Sequence, residues 1–296
     1  MDRVKLNENF ELSRIVQGMW RANKWNKSPK EVLKFMQECI ELGITSFDTA
    51  DIYMTEELQG NAMNLKKSLR YNIEIITKCG IKLPGRLVDC KVHHYDSSKD
   101  HIKFSIESSL KRLQTDYVDL LLIHRPDYLM NPEEMAEAFN ELHNEGKVLN
   151  FGVSNFTPSQ VDMLKTYLDF PIVTNQVEIS PVRLEPFIDG TLDNCLKNKM
   201  TPMAWSPLAG GKIFNVEDER GRRLMTTLNK IKERNNIFSI DEVIYAWLLY
   251  HPSNIIPIIG SGKIERVKLA VDSLKVKLTR EDWYEIWQSS TGKEID

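Results

Sequence analysis

Short apolar segments alternate with amphipathic segments along nearly the whole chain. Eight of the apolar segments are rich in Ile, Val and Leu, which is the composition of parallel strands that are covered on both faces. They cover residues 14–20, 44–49, 73–78, 117–124, 148–154, 172–178, 201–206 and 255–260. The pattern therefore predicts eight buried strands in a repeating strand–helix order.

The segments between the predicted strands carry the start and stop signals of helices. In residues 28–43, Ser28 is a candidate N-cap, Pro29 stands in the first turn and Gly43 follows the last turn. Similar patterns occur in residues 100–114, 131–147 and 157–168. Strand–helix units that follow one another without a linker predict the α/β class and a (β/α)8 TIM barrel, with residues 1–296 as one domain.

An open, doubly wound sheet is the competing arrangement of the same elements. That fold carries a G-x-G-x-x-G turn after its first strand, and no such motif follows residues 14–20. The barrel is therefore the preferred prediction. Near the C-terminus, Trp283, Ile286 and Trp287 repeat at helical spacing, which predicts a packed helix face.

Polar and aromatic residues gather at the predicted C-terminal ends of the strands, where barrel enzymes place their catalytic groups. Asp48 and Tyr53 follow the second strand, Lys78 ends the third and His124 ends the fourth. The other ends carry Gly18, Met19, Trp20, Ser154, Asn155, Gln176, Glu178, Trp205, Ser206, Gly260 and Ser261. Because polar groups are costly inside a core, their placement predicts a functional site on this face.

The residue types at strands two to four suit proton transfer to a carbonyl oxygen. A free tyrosine has a pKa of about 10, and a nearby lysine ammonium favours its phenolate. Asp48 would hold Lys78 charged, and Lys78 would thereby lower the pKa of Tyr53. His124 would orient a carbonyl oxygen or relay a proton.

Composition and charge exclude several classes of function. The chain has 296 residues, 42% of them hydrophobic, and a formal net charge of −3 with scattered Lys and Arg, so it offers no basic surface for nucleic acid. No apolar run is long enough to span a bilayer, and the N-terminus lacks an apolar signal region. We therefore expect a cytoplasmic globular protein that binds neither nucleic acid nor a membrane and has no obligate protein partner.

Covalent nucleophiles and metal ligands are also absent from the pattern. Ser154 lacks the G-x-S-x-G turn, and the nearest metal candidate, His93 with His94, is a pair of adjacent residues in a loop, so no metal is expected. The four cysteines, Cys39, Cys79, Cys90 and Cys195, have the spacing of reduced thiols. Cys79 differs because the preceding lysine would favour its thiolate. A proton donor without a nucleophile or a metal points to a hydride cofactor as the second reagent.

Sequence motifs at successive strand ends are similar to those of a known protein family. They are "FDTADIY" around Tyr53, "ITKCG" around Lys78, "LLIHRPD" around His124, and then "GVSNF", "NQVEISP", "AWSPL" and "PIIGSGKIERV". In this order the chain resembles the aldo-keto reductases from end to end, most closely a bacterial branch of poorly defined substrates. The resemblance implies a TIM barrel that reduces carbonyls with NADPH.

The resemblance also implies roles for individual positions. Tyr53 would be the general acid, Lys78 and Asp48 its tuning pair, and His124 the group that orients the substrate. Trp205 would stack on the nicotinamide, and Ser154, Asn155 and Gln176 would bind its carboxamide. The other cofactor contacts would be Gly18, Met19, Trp20, Ser206, Leu208, Gly210, Lys212, Gly260, Ser261, Gly262, Lys263 and Arg266.

The phosphate end of the cofactor is predicted after strand eight. There Ser261, Lys263 and Arg266 precede or begin a helix and would hold a 2′-phosphate, which favours NADPH over NADH. The family commonly has Glu and Asn three and four places after this arginine, whereas this chain has Leu269 and Ala270. Polar contacts to the adenine are therefore not expected from these two positions.

The substrate pocket is the least specified part of the site. The segment 79–100 after strand three is long and polar, and we expect it to form part of the substrate wall. Candidate pocket residues are Trp20, Trp25, Met54, Arg125, Tyr128 and Phe214. Arg125 would either meet an acidic or polar substrate or pair with Asp127 and fix its loop, and the pairing is the preferred expectation.

Three functions fit the sequence. The leading one is an NADPH-dependent oxidoreductase that reduces aldehydes or ketones, with quinones and sugar-derived carbonyls as candidate substrates. The second is an NADPH-binding regulatory or redox-sensing protein with little turnover. The third is a barrel aldolase in which Lys78 forms a Schiff base, and the carboxylate of Asp48 argues against it because it would keep the amine charged.

Overall fold

Eight parallel strands close into a barrel in the computed structural model, which describes residues 2–87, 89–214 and 217–295. The strands of this part of the chain are β1 (Arg3–Lys5), β2 (Glu11–Ser13), β3 (Val16–Gly18), β4 (Ser46–Asp48), β5 (Glu74–Cys79), β6 (Ile81–Lys82), β7 (His94–Tyr95), β8 (Leu120–Ile123), β9 (Phe151–Ser154), β10 (Ile172–Glu178), β11 (Met203–Trp205) and β12 (Ile256–Ile259). The barrel runs in the order β3, β4, β5, β8, β9, β10, β11, β12 and closes from β12 to β3. Each barrel strand lies within one of the eight predicted segments or within one residue of its end, and the predicted (β/α)8 barrel is confirmed.

Helices follow each barrel strand. Those in the described residues are α1 (Pro29–Glu41), α2 (Glu56–Asn64), α3 (Lys99–Leu113), α4 (Pro132–Asn144), α5 (Pro158–Lys165), α6 (Thr191–Asn198), α7 (Glu219–Arg234), α8 (Ile240–Leu249), α9 (Ile264–Asp272) and α10 (Arg280–Thr291). Ser28 caps α1, with its side chain accepting from the Glu31 backbone N–H, and Pro29 begins the helix as predicted.

The N-terminal hairpin of β1 and β2 closes the bottom of the barrel. Val4, Leu6, Phe10 and Leu12 form one apolar cluster with the side chains that fill the barrel interior. Those interior side chains are Val16, Ile76, Leu120, Leu122, Val173, Met203, Ile256 and Ile258. This end of the barrel is filled with apolar side chains. The polar strand-end residues lie at the opposite, C-terminal end.

A second hairpin rises beside the open end of the barrel. β6 and β7 pair antiparallel, and an ion pair between Lys82 Nζ and Asp96 Oδ2 at 3.1 Å joins their ends. This hairpin lies within residues 79–100, the segment expected to form part of the substrate wall, and Val88 in that segment lies outside the described residues. The hairpin itself was not predicted, since each of its strands is only two residues long.

The apolar stripe near the C-terminus packs as predicted. The rings of Trp247 and Trp283 are stacked with their centres 5.1 Å apart, and each indole N–H donates to the other residue's backbone carbonyl oxygen at 3.1 Å. Trp287 and Phe187 extend this cluster. The stripe therefore fixes α10 against α8 rather than facing the site.

Close packing of α2 on α3 gives a test of the fold. A Cβ at Gly60 would lie 2.1 Å from the Arg112 carbonyl oxygen, so Gly60→Ala should lower the free energy of unfolding by about 1–3 kcal/mol, although Ala is the better helix former. Urea denaturation measures this difference. Gly260→Ala is the matched control because its added Cβ meets nothing within 4 Å. A Gly60→Ala protein as stable as the wild type would contradict the packing.

Candidate active site

The strand-end residues line a cavity of about 1060 Å³ at the C-terminal end of the barrel. The predicted residues on its wall are Gly18, Trp20, Trp25, Asp48, Tyr53, His124, Arg125, Ser154, Asn155, Gln176, Trp205, Ser206, Leu208, Gly210, Phe214, Gly260, Ser261, Gly262, Lys263 and Arg266. The fold thus brings most of the predicted site together, with wall residues from seven of the eight barrel strands, and Lys78 of β5 is buried against Asp48.

Lys78 is the fully buried centre of the site. Its Nζ donates to Asp48 Oδ1 at 2.6 Å and to the Thr49 carbonyl oxygen at 2.7 Å. Burial alone lowers the pKa of Lys78, but the charge of Asp48 and the hydrogen bond to it raise the pKa more. The resulting pKa lies above the ordinary value, so the amine is charged at neutral pH.

Tyr53 lies on a 3₁₀ turn, Asp51–Tyr53, directly after β4. Its hydroxyl oxygen is 3.3 Å from His124 Nε2, and Lys78 Nζ is 5.0 Å from the centre of its ring. Burial raises the pKa of Tyr53, Lys78 acts in the opposite direction, and the balance lies above the ordinary value. The expectation that Lys78 brings this pKa below 10 is therefore wrong, because burial outweighs the ammonium.

His124 is neutral. Burial, with the charges of Lys78 and Arg125 added, holds the pKa of His124 well below its usual range. Its Nδ1 has no hydrogen-bond partner among the described residues, whereas its Nε2 faces the Tyr53 hydroxyl. A neutral imidazole beside a protonated phenol can exchange a hydrogen bond in either direction, or offer Nε2–H to a carbonyl oxygen.

A chain of hydrogen bonds fixes the wall formed by β9, β10 and β11. Ser154 Oγ donates to the Gln176 carbonyl oxygen at 2.8 Å, Asn155 Nδ2 donates to Ser154 Oγ at 2.8 Å, and Trp205 Nε1 donates to Asn155 Oδ1 at 3.1 Å. Gln176 Nε2 donates to Asp48 Oδ2 at 2.8 Å. Gln176, predicted to contact the carboxamide, therefore also holds the carboxylate that binds Lys78.

Arg125 lies over Trp205 rather than on Asp127. Its guanidinium carbon is 5.7 Å from the centre of the Trp205 ring. Asp127 instead accepts hydrogen bonds from the Ser97 backbone N–H and hydroxyl and from the Leu129 N–H. Within the described residues no ion pair joins Arg125 to Asp127, so the preferred expectation for Arg125 is wrong and its charge faces the cavity.

The segment after β12 presents open backbone to the cavity. α9 begins at Ile264, and its N-cap residue, Lys263, supplies no side-chain hydrogen bond to the first turn. A Cβ at Gly260 would meet no atom within 4 Å, so the missing side chain leaves free space instead of permitting a tight contact. Uncapped N–H groups, free space and the cations Lys263 and Arg266 suit an anionic ligand.

Trp25 belongs to this end of the cavity. A Cβ at Gly262 would lie 2.4 Å from the Trp25 indole, so the ring covers the glycine of the segment after β12. Trp25 also packs edge-on against Phe35 with ring centres 5.2 Å apart. The sequence placed Trp25 in the substrate pocket, whereas the structure places it beside the predicted phosphate site.

Five predicted residues do not line the cavity: the fully buried Lys78, and Met19, Met54, Tyr128 and Lys212. Met19 is fully buried in the core, with only its backbone N–H donating to the Asp48 carbonyl oxygen at 2.7 Å. Met54 ends the 3₁₀ turn with a φ of 59°, in the left-handed region that glycine adopts most easily, and it is not part of the lining. Tyr128 is 90% exposed, and Lys212 is exposed outside the lining.

Sequence reasoning missed several lining residues. Arg21, Lys24 and Lys27 come from the segment after β3, where three cations within seven residues were a readable signal. Ile52, Ile81, Leu83, Arg86, His93 and Tyr95 line the side formed by β4 and the β6–β7 hairpin, and Asp241 and Tyr245 reach the cavity from α8. Only the fold could reveal the last two, because they lie within a helix and not at the end of a strand.

The cysteines take no part in the site. Cys39, Cys79 and Cys195 are buried, and burial raises the pKa of Cys39 and of Cys195 to about 12. Burial also raises the pKa of Cys79 well above its usual range, with Asp51 and Glu56 adding to the effect. Burial therefore outweighs the effect of the preceding lysine, and Cys79 stays a thiol, which agrees with the preferred expectation of reduced, unreactive thiols. In the described ranges, no three His, Cys, Asp or Glu side chains cluster as metal ligands, and no helix could cross a membrane.

Known proteins match the chain over nearly its whole length. The model of the Aldo/keto reductase family matches residues 14–290. An uncharacterized oxidoreductase of Bacillus subtilis (strain 168), YcsN, is 49% identical over 100% of both chains, and a 6-dehydroglucose reductase of Agrobacterium fabrum is 40% identical, again over 100% of both. The crystal structure of a thermostable aldo-keto reductase in complex with the inhibitor epalrestat has a TM-score of 0.80 at 28% identity and covers 98% of this chain and 100% of its own. These matches confirm the resemblance carried by the strand-end motifs, and the chain belongs to the aldo-keto reductase family.

Proposed function

We propose that the protein reduces aldehyde or ketone carbonyls to alcohols with NADPH and that Tyr53 is the general acid. The observation that carries the proposal is the position of Tyr53, whose protonated hydroxyl lies 3.3 Å from neutral His124 and beside charged Lys78 at the cavity wall. Family membership supports an oxidoreductase acting on small carbonyl compounds.

The cavity fits a nicotinamide dinucleotide. Its volume of about 1060 Å³ exceeds what a small carbonyl compound needs, and Gly260 leaves backbone exposed beside the uncapped start of α9. Lys263 and Arg266 would hold the 2′-phosphate, and Trp205 would face the nicotinamide. When bound, the cofactor would supply the hydride to the carbonyl carbon.

The chain's own residues would manage the proton. His124 Nε2–H would hold the carbonyl oxygen near Tyr53, and the Tyr53 hydroxyl would transfer its proton to that oxygen. The phenolate that remains would be stabilised by the buried ammonium of Lys78, which Asp48 and Gln176 fix in place. A raised phenol pKa keeps Tyr53 protonated before the reaction, and the ammonium limits the cost of losing that proton.

The adenine end is built differently from the family pattern. Leu269 and Ala270 have apolar side chains, so neither supplies a polar side-chain contact. Ala270 is buried and Leu269 is partly buried. Asp241 and Tyr245 of α8 line the cavity at this end, near Arg266. We infer that these two residues take the place of the missing Glu and Asn.

Sugar-derived carbonyls are the first substrates to examine. The relative from Agrobacterium fabrum is named a 6-dehydroglucose reductase, and it covers this chain completely. The cavity offers polar side chains beside aromatic rings, which suits a compound carrying several hydroxyl groups.

The two alternatives differ in how they would be detected. Schiff-base chemistry at Lys78 is disfavoured, because the amine is buried, charged and bonded to Asp48 and Thr49. A regulatory role would appear as tight NADPH binding with very slow oxidation over a broad carbonyl panel.

Tyr53→Phe tests the proposed acid. Loss of the hydroxyl should lower kcat for carbonyl reduction by about 100-fold or more, because a positioned general acid contributes that much, while the dissociation constant of NADPH changes little. Steady-state NADPH oxidation and tryptophan fluorescence measure the two effects. Turnover near that of the wild type would remove Tyr53 from the proposed role.

The pH profile follows from the two pKa directions. The pKa of Tyr53 lies above 10 and that of His124 lies well below 6.5. Between these two pKa values Tyr53 stays protonated and His124 stays neutral, as the proposed reaction requires. The value of kcat/KM for reduction should therefore be flat from about pH 6 to about pH 9 and fall only at higher pH. The pH profile of kcat/KM reports on groups of the free enzyme, so a titration near pH 6.5 in that profile would contradict a neutral His124.

Arg266→Leu tests the cofactor preference. Removing a charged hydrogen-bond donor to a phosphate should weaken NADPH binding by about tenfold to a hundredfold and leave NADH binding nearly unchanged. Quenching of tryptophan fluorescence on titration with each nucleotide measures this. Lys268→Leu is the matched control, since Lys268 is exposed on the same helix and does not line the cavity. Equal weakening of both nucleotides by Arg266→Leu would reject the 2′-phosphate site.

A further inference from the structure

The cavity is strongly cationic in a chain whose net charge is negative. The formal net charge is −3, yet the cationic side chains on the cavity wall outnumber the carboxylates. The cations are Arg21, Lys24, Lys27, Arg86, Arg125, Lys263 and Arg266, and the carboxylates are Asp48 and Asp241. Asp48 is already bound to Lys78. A cavity of this charge attracts anions.

Barrel topology divides these cations into two groups. Five of them follow the adjacent strands β3 and β12: Arg21, Lys24, Lys27, Lys263 and Arg266. Arg86 and Arg125 follow β5 and β8, which are adjacent to each other, and β8 lies opposite β12 in a barrel of eight. Strand β4, which leads to Tyr53, lies between β3 and β5. The two groups therefore stand on different sides of Tyr53.

One bound dinucleotide would use only the first group. Its phosphates would lie along β3 and β12, where the uncapped start of α9 and the open backbone at Gly260 are found. Arg86 is left on the side where the β6–β7 hairpin forms the wall, and Arg125 follows the neighbouring strand β8 and extends over the Trp205 ring. This is the side that remains for the substrate.

The acids around these two arginines have other partners. Asp96 is bound to Lys82 and Ser98, and Asp127 is bound to Ser97 and Leu129. Glu178, which is near enough to Arg125 for that charge to lower its pKa, pairs with Arg183 at 3.7 Å. Within residues 2–87, 89–214 and 217–295, neither Arg86 nor Arg125 makes an ion pair. Arg125 is also close to the reacting groups, since it follows His124 directly and lies over the Trp205 ring.

We propose that Arg125, with Arg86 at the rim, binds an acidic group of the substrate, so that the preferred substrate is a carbonyl compound carrying a carboxylate or phosphate. This inference rests on the proposed carbonyl reduction. A guanidinium binds either acid through paired N–H···O bonds and keeps its charge at any working pH. The acidic group would be held between Arg125 and Arg86 while the carbonyl oxygen faces Tyr53 and His124.

The chemical step is unchanged by the acidic group. A new C–H bond forms at the carbonyl carbon from the hydride, and the C=O π pair takes the Tyr53 proton to give the hydroxyl. NADPH is oxidised to NADP⁺, the carbonyl compound is reduced by two electrons, and the carboxylate or phosphate is neither broken nor transferred.

Matched substrate pairs test the proposal. Succinic semialdehyde is compared with butanal for the carboxylate, and glyceraldehyde 3-phosphate with glyceraldehyde for the phosphate, by kcat/KM with saturating NADPH. The wild type should prefer the acid in at least one pair by about tenfold or more, and the ratio should fall as salt is raised. The pair with the larger ratio identifies the acid.

Variants assign the preference to the arginines. Arg125→Leu should bring the acid-to-neutral ratio close to one, and Arg86→Leu should lower it in part. Lys91→Leu is the control, because Lys91 is exposed on the same loop as Arg86 and does not line the cavity. It should leave the ratio as it is in the wild type. Should Arg125→Leu fold poorly, Arg86→Leu and the salt dependence of the wild type still decide the matter.

The outcomes separate this inference from the proposed function. Reduction of both members of each pair with a ratio near one, or equal losses on both members in Arg125→Leu, would overturn the arginine site and leave carbonyl reduction standing. No reduction of any member, while NADPH binds, would overturn the reductase function and this inference with it.

Discussion

The buried ion pair between Lys78 and Asp48 is the constraint on which the rest of the site depends. A fully buried ammonium is costly unless its hydrogen bonds and its counter-charge are complete, and here Asp48 Oδ1 and the Thr49 carbonyl oxygen both lie within 2.7 Å of Nζ. The register of the barrel makes this possible: Asp48 pairs with Ile76, and Lys78, two residues further along β5, points to the same inner face. Gln176 then holds the second carboxylate oxygen from across the barrel.

Burial and that ion pair together give Tyr53 two properties that normally conflict. Burial raises the pKa of Tyr53 and keeps it protonated at neutral pH, while the ammonium of Lys78 can stabilise the phenolate. Burial, with the charges of Lys78 and Arg125 added, keeps His124 neutral, so the imidazole can orient a carbonyl oxygen without competing for the proton. Burial therefore sets the protonation states of Tyr53 and His124, and the ammonium of Lys78 acts on both.

The repeating order of apolar runs was enough to predict the barrel, because all eight strands are covered on both faces and leave a continuous apolar signature. The C-terminal ends of the strands could then be treated as one face of the barrel. This predicted that Asp48, Lys78 and His124 lie close together. What failed were side-chain directions in the loops. Met54 has a left-handed backbone and is exposed outside the lining, and Trp25 covers Gly262 because that glycine has no side chain. The direction of the Tyr53 pKa shift was also predicted wrongly, because it depends on burial in the folded site and not on the residues adjacent in sequence.

The most direct test of this account replaces the ion pair by neutral residues of similar shape, in the double variant Asp48→Asn and Lys78→Met. Such a replacement removes both charges together and leaves no unpaired ion in the core, so the variant should fold and bind NADPH. Single-turnover hydride transfer, followed by the loss of NADPH absorbance at saturating carbonyl substrate, should be slower than in the wild type by about 100-fold or more. A folded double variant that transfers hydride at the wild-type rate would contradict the account, because Tyr53 would then need no buried ammonium.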